Sequence, residues 1–220
     1  MSKKNIEENG DIMKAITLGE SAVGKTSIIK RYIEDKFDEN NLATIGIGAS
    51  FKEIKLKVGK TFKLKLIDTA GQEKYRALAK SYFKNTDAVL FVFSFDDQKS
   101  FDNIKDWIKT FDENSNGKTG IPKYLVGNKS DKKRVVNDDL INKFKEEFKD
   151  FKYYETSAKK SEGIDKMFQD LGEDLYKILV EKKEKAKPQN AIKISKYNKN
   201  KKNSSNCICS VEKEVNKHKD

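Results

Sequence analysis

The sequence predicts an α/β fold, and three observations carry this prediction. Short apolar runs alternate with segments of helical periodicity between residues 12 and 182. One of these runs, AVLFVFS at 88–94, is apolar without interruption, as is typical of a strand covered on both faces. The first run leads directly into GESAVGKT, a pattern that belongs between a strand and a helix. We therefore expect one domain over 12–182, with a disordered segment over 1–11 and a flexible tail over 183–220.

The individual elements follow from the pattern along the chain. Strands are predicted at IMKAITL, SFKEIKLKV, FKLKLID, AVLFVFS, KYLVGN and KYYETSA, and the second and third form a hairpin around Gly59. Helices are predicted at KTSIIKRYI, SFDNIKDWIKTF, DLINKFKEEF and EGIDKMFQDLGEDLYKILV. Apolar residues recur every three or four positions in these helices, as in the stripe of Ile164, Phe168, Leu171, Leu175 and Ile178. We assign such stripes to the core and give them no ligand role.

Composition and charge exclude several classes of protein. No apolar run approaches the roughly 20 residues that a membrane-spanning helix needs. The two cysteines, Cys207 and Cys209, and the single histidine, His218, follow the predicted domain, so the domain holds no disulfide and no histidine base. The net charge is +11, and residues 182–202 hold nine lysines against one glutamate. Such a run indicates an arm for an anionic surface, either membrane or nucleic acid, or a solvated linker.

The stretch GESAVGKT predicts a phosphate-binding loop, because its spacing is G-x-x-x-x-G-K-[ST]. Gly19 and Gly24 permit backbone angles that let successive N–H groups turn toward an anion. Lys25 can reach the β- and γ-phosphates, and Thr26 can place its hydroxyl on Mg2+. The alternative is an ordinary glycine-rich turn. The residues expected to contact the nucleotide here are Gly19, Glu20, Ser21, Ala22, Val23, Gly24, Lys25, Thr26 and Ser27.

The predicted strand FKLKLID runs into DTAGQE at 68–73. Asp68, at the end of a strand beside a phosphate loop, can hold Mg2+ directly or through water. Gly71 can offer its backbone N–H to a γ-phosphate, and Gln72 can orient an attacking water. The alternative is a strand that ends in a polar turn. DTAGQE follows the phosphate loop after one predicted hairpin, and this position favours the functional interpretation.

The strand KYLVGN runs into NKSD at 128–131, which predicts recognition of guanine. Asp131 can accept hydrogen bonds from N1–H and the 2-amino group of guanine. Adenine lacks this pair of donors and would leave a buried carboxylate unpaired. Asn128 would brace the loop, and the stem of Lys129 could lie over the base. The alternative is a polar loop after a strand.

The last short strand runs into ETSAK at 155–159, which predicts a second loop at the base. Within it, Ser157 and Ala158 are expected at the nucleotide, and the backbone N–H of Ala158 could meet the guanine O6. Lys159 could flank the ring. Here too the alternative is a polar loop after a strand.

Together, GESAVGKT, DTAGQE, NKSD and ETSAK, in this order, resemble the Ras superfamily of small GTPases over residues 12–182. The resemblance implies a six-stranded, mostly parallel sheet with one antiparallel strand, flanked by five helices, with GTP or GDP and Mg2+ at the carboxyl ends of the strands. It also implies that Thr44 is the switch threonine that joins Thr26 and Asp68 at Mg2+. Phe37 matches the aromatic that stacks edge-on against guanine, with plain loop packing as the alternative. The expected catalytic residues are Gln72 and Lys25.

Within the superfamily the segments ATIG, GQEKYRAL, SYFKNTDAVLFVF and YLVGNKSD are most similar to Rab proteins, and GESAVGKT and GASF to the endosomal Rabs. Four departures stand out. Ile67 replaces the Trp that helps form the effector surface, and Ser94 stands where Rabs commonly have Asp. GIGASF is one residue longer than the Rab pattern, which predicts a bulge or a shifted strand start. The Cys-x-Cys pair is followed by eleven further residues.

The resemblance implies a molecular switch in vesicle traffic, on the cytosolic face of endomembranes, that hydrolyses GTP slowly without a GAP. An exchange factor and effectors would contact two switch loops, at 37–48 and 70–83, and the basic tail with lipid on Cys207 and Cys209 would meet the membrane. Four alternatives remain open: another signalling GTPase of the Ras superfamily; a P-loop ATPase or nucleotide kinase, which has no use for NKSD; a GTP-bound scaffold with little turnover; and a nucleic-acid-binding protein that uses the lysine tail. We expect no nucleic-acid partner.

Overall fold

The computed structural model describes residues 11–39, 44, 46–70, 81–115 and 120–186. The chain divides into two compact units, Met1–Glu181 and Lys182–Asp220, and the sheet described here belongs to the first. Its strands are β1 Ile12–Leu18, β2 Ile47–Lys55, β3 Thr61–Thr69, β4 Ala88–Ser94, β5 Lys123–Asn128 and β6 Phe151–Glu155. The helices within the described residues are α1 Lys25–Glu34, α2 Gln98–Asp102, α3 Ile104–Asn114, α4 Asp138–Glu147 and α5 Ile164–Ala186.

All six strands form one sheet in the order β2-β3-β1-β4-β5-β6. Strands β2 and β3 pair antiparallel, as expected for a hairpin, and every other pair is parallel. The predicted fold class is thereby confirmed. In a parallel sheet the carboxyl ends of the strands meet at one edge, so the loops after β1, β3, β5 and β6 are brought together there. These are the loops that carry the four motifs.

The core consists of two apolar clusters that use alternate residues of the same strands. Leu64 and Leu66 of β3 belong to one cluster and Ile67 to the other, since neighbouring side chains in a strand point to opposite faces. The first cluster packs the sheet against α1 and α5. The second packs it against α3 and α4 and contains the fully buried Trp107. Each buried large apolar side chain contributes about 1.5–3 kcal/mol, so both layers are substantial. None of the described helices has the length and apolarity to cross a lipid bilayer.

The helix predicted as SFDNIKDWIKTF is divided into α2 and α3 at Asn103. Asp97 begins α2 by accepting a hydrogen bond from the Ser100 backbone N–H at 3.3 Å. The break comes at Asn103, whose backbone remains right-handed at φ −75° but whose ψ of −5° is far from the roughly −42° of a regular α-helix. Asparagine weakens helix interiors because its side chain competes with the helical hydrogen bonds. A continuous apolar stripe therefore spans two helices and not one.

Strand β2 begins at Ile47, three residues before the predicted start, and pairs without interruption from Ile47 opposite Thr69 to Lys55 opposite Thr61. The bulge considered for GIGASF is absent from these pairs. Gly46, at φ +84°, leads into the strand, so a left-handed residue accompanies the shifted start. Ile67, which replaces the Rab Trp, is fully buried and offers a partner no surface.

Candidate functional site

A cavity of about 520 Å³ lies at the edge of the sheet where the motif loops meet. This volume is within the range of small-molecule sites. The structure brings together at its walls most of the residues that the motifs predict: Ser21, Ala22, Gly24, Lys25, Thr26, Ser27, Phe37, Thr44, Asn128, Lys129, Asp131, Ala158 and Lys159. Four further residues that the sequence analysis did not single out also line it: Asp38, Glu39, Thr69 and Lys132.

Two glycines shape the loop between β1 and α1. Gly19, at φ +142°, lies so close to β4 that an added Cβ would stand 2.1 Å from the carbonyl oxygen of Val92. Gly24, at φ +97°, precedes the first residue of α1, and no side chain of the described residues caps this helix start. The N–H groups of the first turn are therefore available to an anion, and the helix dipole favours negative charge at the same place.

Lys25 is the one buried cationic side chain among the described residues, and it lies beside this loop with 5% of its surface exposed. Its Nζ donates hydrogen bonds to the carbonyl oxygens of Gly19 at 2.9 Å and Glu20 at 2.7 Å. Burial lowers the pKa of Lys25 to about 8, although the negative charges of Asp68 and Glu20 act in the opposite direction. An anion in the cavity would stabilise the charged form of this lysine.

Three oxygen-bearing side chains converge beside Lys25. The Thr26 Oγ1 lies 2.6 Å from the Thr44 Oγ1 and donates to the Asp68 Oδ2 at 2.6 Å. The Asp68 Oδ1 is buried without a hydrogen-bond partner among the described residues. Burial raises the pKa of Asp68, while the Thr26 hydrogen bond and the charges of Lys25 and Lys30 moderate the shift. A hard cation with oxygen ligands, such as Mg2+, fits this donor set and would give the orphaned oxygen a partner.

Asn128 connects the phosphate loop with the two loops predicted at the base. It is 1% exposed. Its Nδ2 donates to the Val23 carbonyl at 2.8 Å, and its Oδ1 accepts from the Ala158 backbone N–H at 3.3 Å and the Thr156 hydroxyl at 3.2 Å. A single side chain thus bridges three segments, as the bracing role predicted for it requires.

The carboxylate of Asp131 is oriented by Ser157. The Ser157 hydroxyl donates to the Asp131 Oδ1 at 2.5 Å and accepts from the Lys160 backbone N–H at 3.1 Å. Ser157 is fully buried behind the cavity wall, whereas Asp131 lines the cavity. The ETSAK loop therefore supplies both a backbone donor, at Ala158, and the group that orients the acceptor on the NKSD loop.

Lys129 lies on the cavity wall in a strained left-handed conformation, with φ +61°. Its Nζ is 3.5 Å from the Asp96 Oδ1, and Lys132 Nζ is 2.8 Å from the Asp96 Oδ2. The Ser94 hydroxyl, at the position where Rabs have Asp, donates to the same carboxylate at 2.5 Å. Burial opposes the shift, but the Lys132 and Ser94 hydrogen bonds and the charge of Lys129 lower the pKa of Asp96 to about 2.

The mouth of the cavity is bordered by residues from distant parts of the chain. Phe37 lines it and also packs against the first core cluster, so base contact and loop packing, the two interpretations of this residue, are compatible. Lys159 Nζ pairs with the Glu39 Oε1 at 2.5 Å across the rim. Both side chains are more than half exposed, so solvent screens the pair and it adds little to stability.

Several predicted residues lie outside the cavity wall. Gly19 supports the loop from behind, and Val23 is buried in the first core cluster and contributes its carbonyl to Asn128. The Glu20 carboxylate accepts a hydrogen bond from the Trp107 indole Nε1 at 3.0 Å, so its side chain anchors the loop to α3. Gly71, Gln72, Cys207 and Cys209 are outside the described residues, and their predicted roles remain predictions.

Comparison with known proteins agrees with this geometry. Residues 14–177 match the model of the Ras family. The chain is 34% identical over 197 residues to the Ras-related protein RABE1e of Arabidopsis thaliana, covering 88% of both chains. It is 36% identical over 168 residues to the Ras-related protein SEC4 of Saccharomyces cerevisiae, covering 76% of both, and 35% identical over 166 residues to the Ras-related protein Rab-13 of Rattus norvegicus, covering 74% of this chain and 80% of that one. The chain therefore belongs to the Ras family, and it is a Rab-like small GTPase.

Proposed function

We propose that the cavity of this Rab-like small GTPase binds GTP and GDP with the base between the NKSD and ETSAK loops and the phosphates on the GESAVGKT loop. The observation that carries the proposal is the position of Asn128, which joins all three segments around one cavity. A GTPase of this kind hydrolyses GTP and acts as a switch in vesicle traffic.

Guanine specificity would come from Asp131 and Ala158. The Asp131 carboxylate would accept from N1–H and the 2-amino group, and the Ala158 N–H would donate to O6. The orientation of Asp131 by Ser157 supports this assignment, because a fixed acceptor discriminates more sharply than a mobile one. An ATPase or nucleotide kinase would share the phosphate loop but would leave these groups unpaired with adenine.

Thr26, Thr44 and Asp68 would hold Mg2+, with the unpartnered Asp68 Oδ1 as the strongest support. When bound, the cation neutralises phosphate charge. The chain's own groups would do the rest. Lys25 and the N–H groups of the first turn of α1 would stabilise charge on the β- and γ-phosphates. Thr44 would make the 37–48 segment sensitive to the γ-phosphate, because it lies 2.6 Å from Thr26.

Hydrolysis would use Gln72 to orient the attacking water and Lys25 to stabilise developing charge. The two described arginines have other partners. Arg31 donates to backbone carbonyls, and Arg134 pairs with Glu155 and stacks on Phe95. We therefore expect slow intrinsic hydrolysis and a GAP that supplies an arginine in trans, worth roughly 10³–10⁵ in rate. The GAP, an exchange factor and effectors would contact the switch loops at 37–48 and 70–83.

The basic tail would bring the protein to the cytosolic face of an endomembrane as a peripheral protein. Residues 182–202 carry nine lysines and one glutamate, a charge suited to an anionic leaflet. Cys207 and Cys209 follow this arm at the place where lipid would reinforce the electrostatic attraction.

The guanine pocket is tested by nucleotide competition against fluorescent GDP. The wild type should prefer GTP over ATP by at least about 10³-fold, because a site built for guanine hydrogen bonds rejects an analogue that lacks them. The substitution Asp131→Asn should shift preference from GTP toward XTP by about 10²-fold or more. Asp150→Asn, at an exposed turn, is the control and should leave the ratio unchanged. An Asp131→Asn protein with wild-type GTP/XTP selectivity would contradict the assignment.

A further inference from the structure

The guanidinium of Arg31, on α1, is bound to two segments that are far apart in the sequence. Its Nε donates to the Ala158 carbonyl at 2.9 Å, and its Nη2 donates to the Lys159 carbonyl at 3.4 Å. Its Nη1 donates to the backbone oxygen of Asp35 at 2.8 Å and to the Asp35 Oδ1 at 2.9 Å. The Arg31 side chain is only 15% exposed, and its bond to the Ala158 carbonyl is partly buried, whereas its bonds to Lys159 and to the 86% exposed Asp35 lie at the surface.

The first of these segments leads into the wall that carries Phe37. Asp35 adopts a left-handed conformation, with φ 52°, and its backbone N–H donates to the Arg31 carbonyl at 3.0 Å. Arg31 thus holds Asp35 through both its main chain and its side chain. Because Phe37 is only two residues further along, the direction in which the chain leaves α1 toward the cavity depends on this contact.

The second segment is the loop that meets the base from the other side. Arg31 donates to the carbonyls of Ala158 and Lys159, while the buried Asn128 Oδ1 accepts from the N–H of Ala158. Two consecutive carbonyls bound to one rigid, planar group restrict the rotation of the peptide between them. Arg31 therefore holds the peptide that follows Ala158, and the Asn128 Oδ1 holds the N–H of the peptide that precedes it, so Ala158 is restrained on both sides where it lines the cavity.

We propose that Arg31 is a positioning residue for guanine recognition: it holds the carbonyl side of Ala158, so that the Ala158 N–H, which donates to the Asn128 Oδ1, is placed to be shared with the O6 of the base, and it ties that loop to the segment carrying Phe37. The proposal rests on the proposed function, because it assumes that guanine occupies this cavity. Arg31 touches no nucleotide atom in this role. A lysine cannot replace it fully, because an ammonium has no planar fork that reaches carbonyls and Asp35 together.

The test compares release of GDP and of 6-thio-GDP, whose sulfur replaces O6 and accepts a hydrogen bond weakly, while N1–H and the 2-amino group remain. Fluorescent derivatives of both nucleotides are chased from full-length wild type, Arg31→Met and Arg31→Lys. The control Lys36→Met removes an exposed charge five residues further along the chain. Arg31→Met should release GDP about tenfold faster, and Arg31→Lys should fall between it and the wild type.

The ratio of the two release rates separates positioning from general support of the fold. The wild type should release 6-thio-GDP faster than GDP, and Arg31→Met should bring this ratio close to one. If Arg31→Met and Arg31→Lys accelerate both nucleotides equally, or neither, the proposal is overturned, whereas guanine binding by the wild type still stands. If Arg31→Met does not fold, the ratio in Arg31→Lys decides alone: a reduced ratio supports the proposal, and an unchanged ratio refutes it. A wild type that binds neither nucleotide contradicts the proposed function itself.

Discussion

The side-chain amide of Asn128 donates a hydrogen bond of 2.8 Å to the carbonyl of Val23, 105 residues earlier in the chain. The bond is fully buried, so loss of either group would leave the other without water or a partner. The same Asn128 amide also limits the size of the residue at position 24 in the phosphate loop. A Cβ added to Gly24 would lie 2.3 Å from the same Asn128 Nδ2. The phosphate loop and the base loop are therefore built as one unit.

Substitution of Gly24 should separate this clash from backbone strain. Gly24 and Gly59 both have positive φ, at +97° and +73°, but nothing lies within 4 Å of a Cβ at Gly59. Both Gly24→Ala and Gly59→Ala should lose roughly 1–2 kcal/mol of stability through left-handed strain. Only Gly24→Ala should also displace Asn128 and speed GDP release by about tenfold or more. Urea unfolding and release of fluorescent GDP measure the two effects, and equal release rates in both variants would contradict the coupling.

Removal of the metal should reveal the role of Asp68. Its orphaned Oδ1 and its contact with Thr26 predict that Mg2+ slows GDP release and that chelation with EDTA accelerates it. In Asp68→Asn, the Mg2+ concentration that slows release by half should rise by about 10–100-fold. Asp102→Asn, on the exposed side of α2, serves as the matched control. An unchanged Mg2+ dependence in Asp68→Asn would show that this carboxylate does not support the metal.

Gln72 should matter for hydrolysis and not for binding. We expect Gln72→Leu to keep nearly wild-type GTP affinity and to lose about 10²-fold or more of the GAP-stimulated rate, because leucine cannot orient the attacking water. Single-turnover hydrolysis of GTP with and without a GAP provides the measurement. Gln169→Leu, exposed on α5, controls for the change from amide to alkyl group. Stimulated rates equal to the wild type would remove Gln72 from the mechanism.

The motif loops could be predicted from the sequence because their chemistry depends on local spacing. Gly24, Lys25 and Thr26 are adjacent in the chain, so the pattern itself defines the phosphate loop. The contacts that support these loops could not be predicted, because they join residues far apart. Arg31 meets Ala158 across 127 positions, and Trp107 meets Glu20 across 87. Such pairs are set by how the helices pack on the sheet, and no periodicity in one segment encodes them.

The same distinction between local and distant contacts explains where the prediction of the fold was wrong. The continuous apolar stripe around Asn103 concealed the break between α2, which begins after the Asp97 cap, and α3. The start of β2 depends on its partner β3, whose Thr69 lies opposite Ile47. A strand boundary set by pairing is not visible in the strand's own residues.

The tail cysteines should determine stable membrane attachment. Each basic residue near an anionic leaflet contributes at most about 1 kcal/mol, and this attraction is screened within about 8 Å at physiological salt. Stable anchoring takes a second signal, and Cys207 and Cys209 are the only cysteines in the sequence. Intact-mass measurement of protein from its native cells should show lipid, and a Cys207→Ser, Cys209→Ser variant should move to the soluble fraction. Ser204→Ala, Ser205→Ala is the control, and an unmodified mass with unchanged fractionation would exclude the lipid anchor.

The last prediction is that the attachment of α5 to the sheet weakens at low pH. Asp174 of α5 accepts hydrogen bonds from the buried Tyr124 hydroxyl at 2.6 Å and from Lys152 Nζ at 2.5 Å. Burial alone would raise the pKa of Asp174. The hydrogen bonds from Lys152 and Tyr124 and the charges of Lys152 and Lys177 outweigh it, and the pKa lies below its usual range.

Because the folded pKa of this carboxyl is lowered, its contribution to stability is complete above the unfolded pKa of about 3.9 and is lost as pH falls through the folded value. Asp174→Asn should reduce the free energy of unfolding by about 1–2 kcal/mol at pH 7, since an amide accepts from Tyr124 but offers Lys152 no charge. The difference between wild type and variant should shrink as pH falls below about 4. Urea unfolding of both proteins at a fixed GDP concentration gives the curves, with Asp150→Asn as an exposed control. A difference that stays constant down to about pH 3 would show that the ionised form of Asp174 does not hold the helix on the sheet.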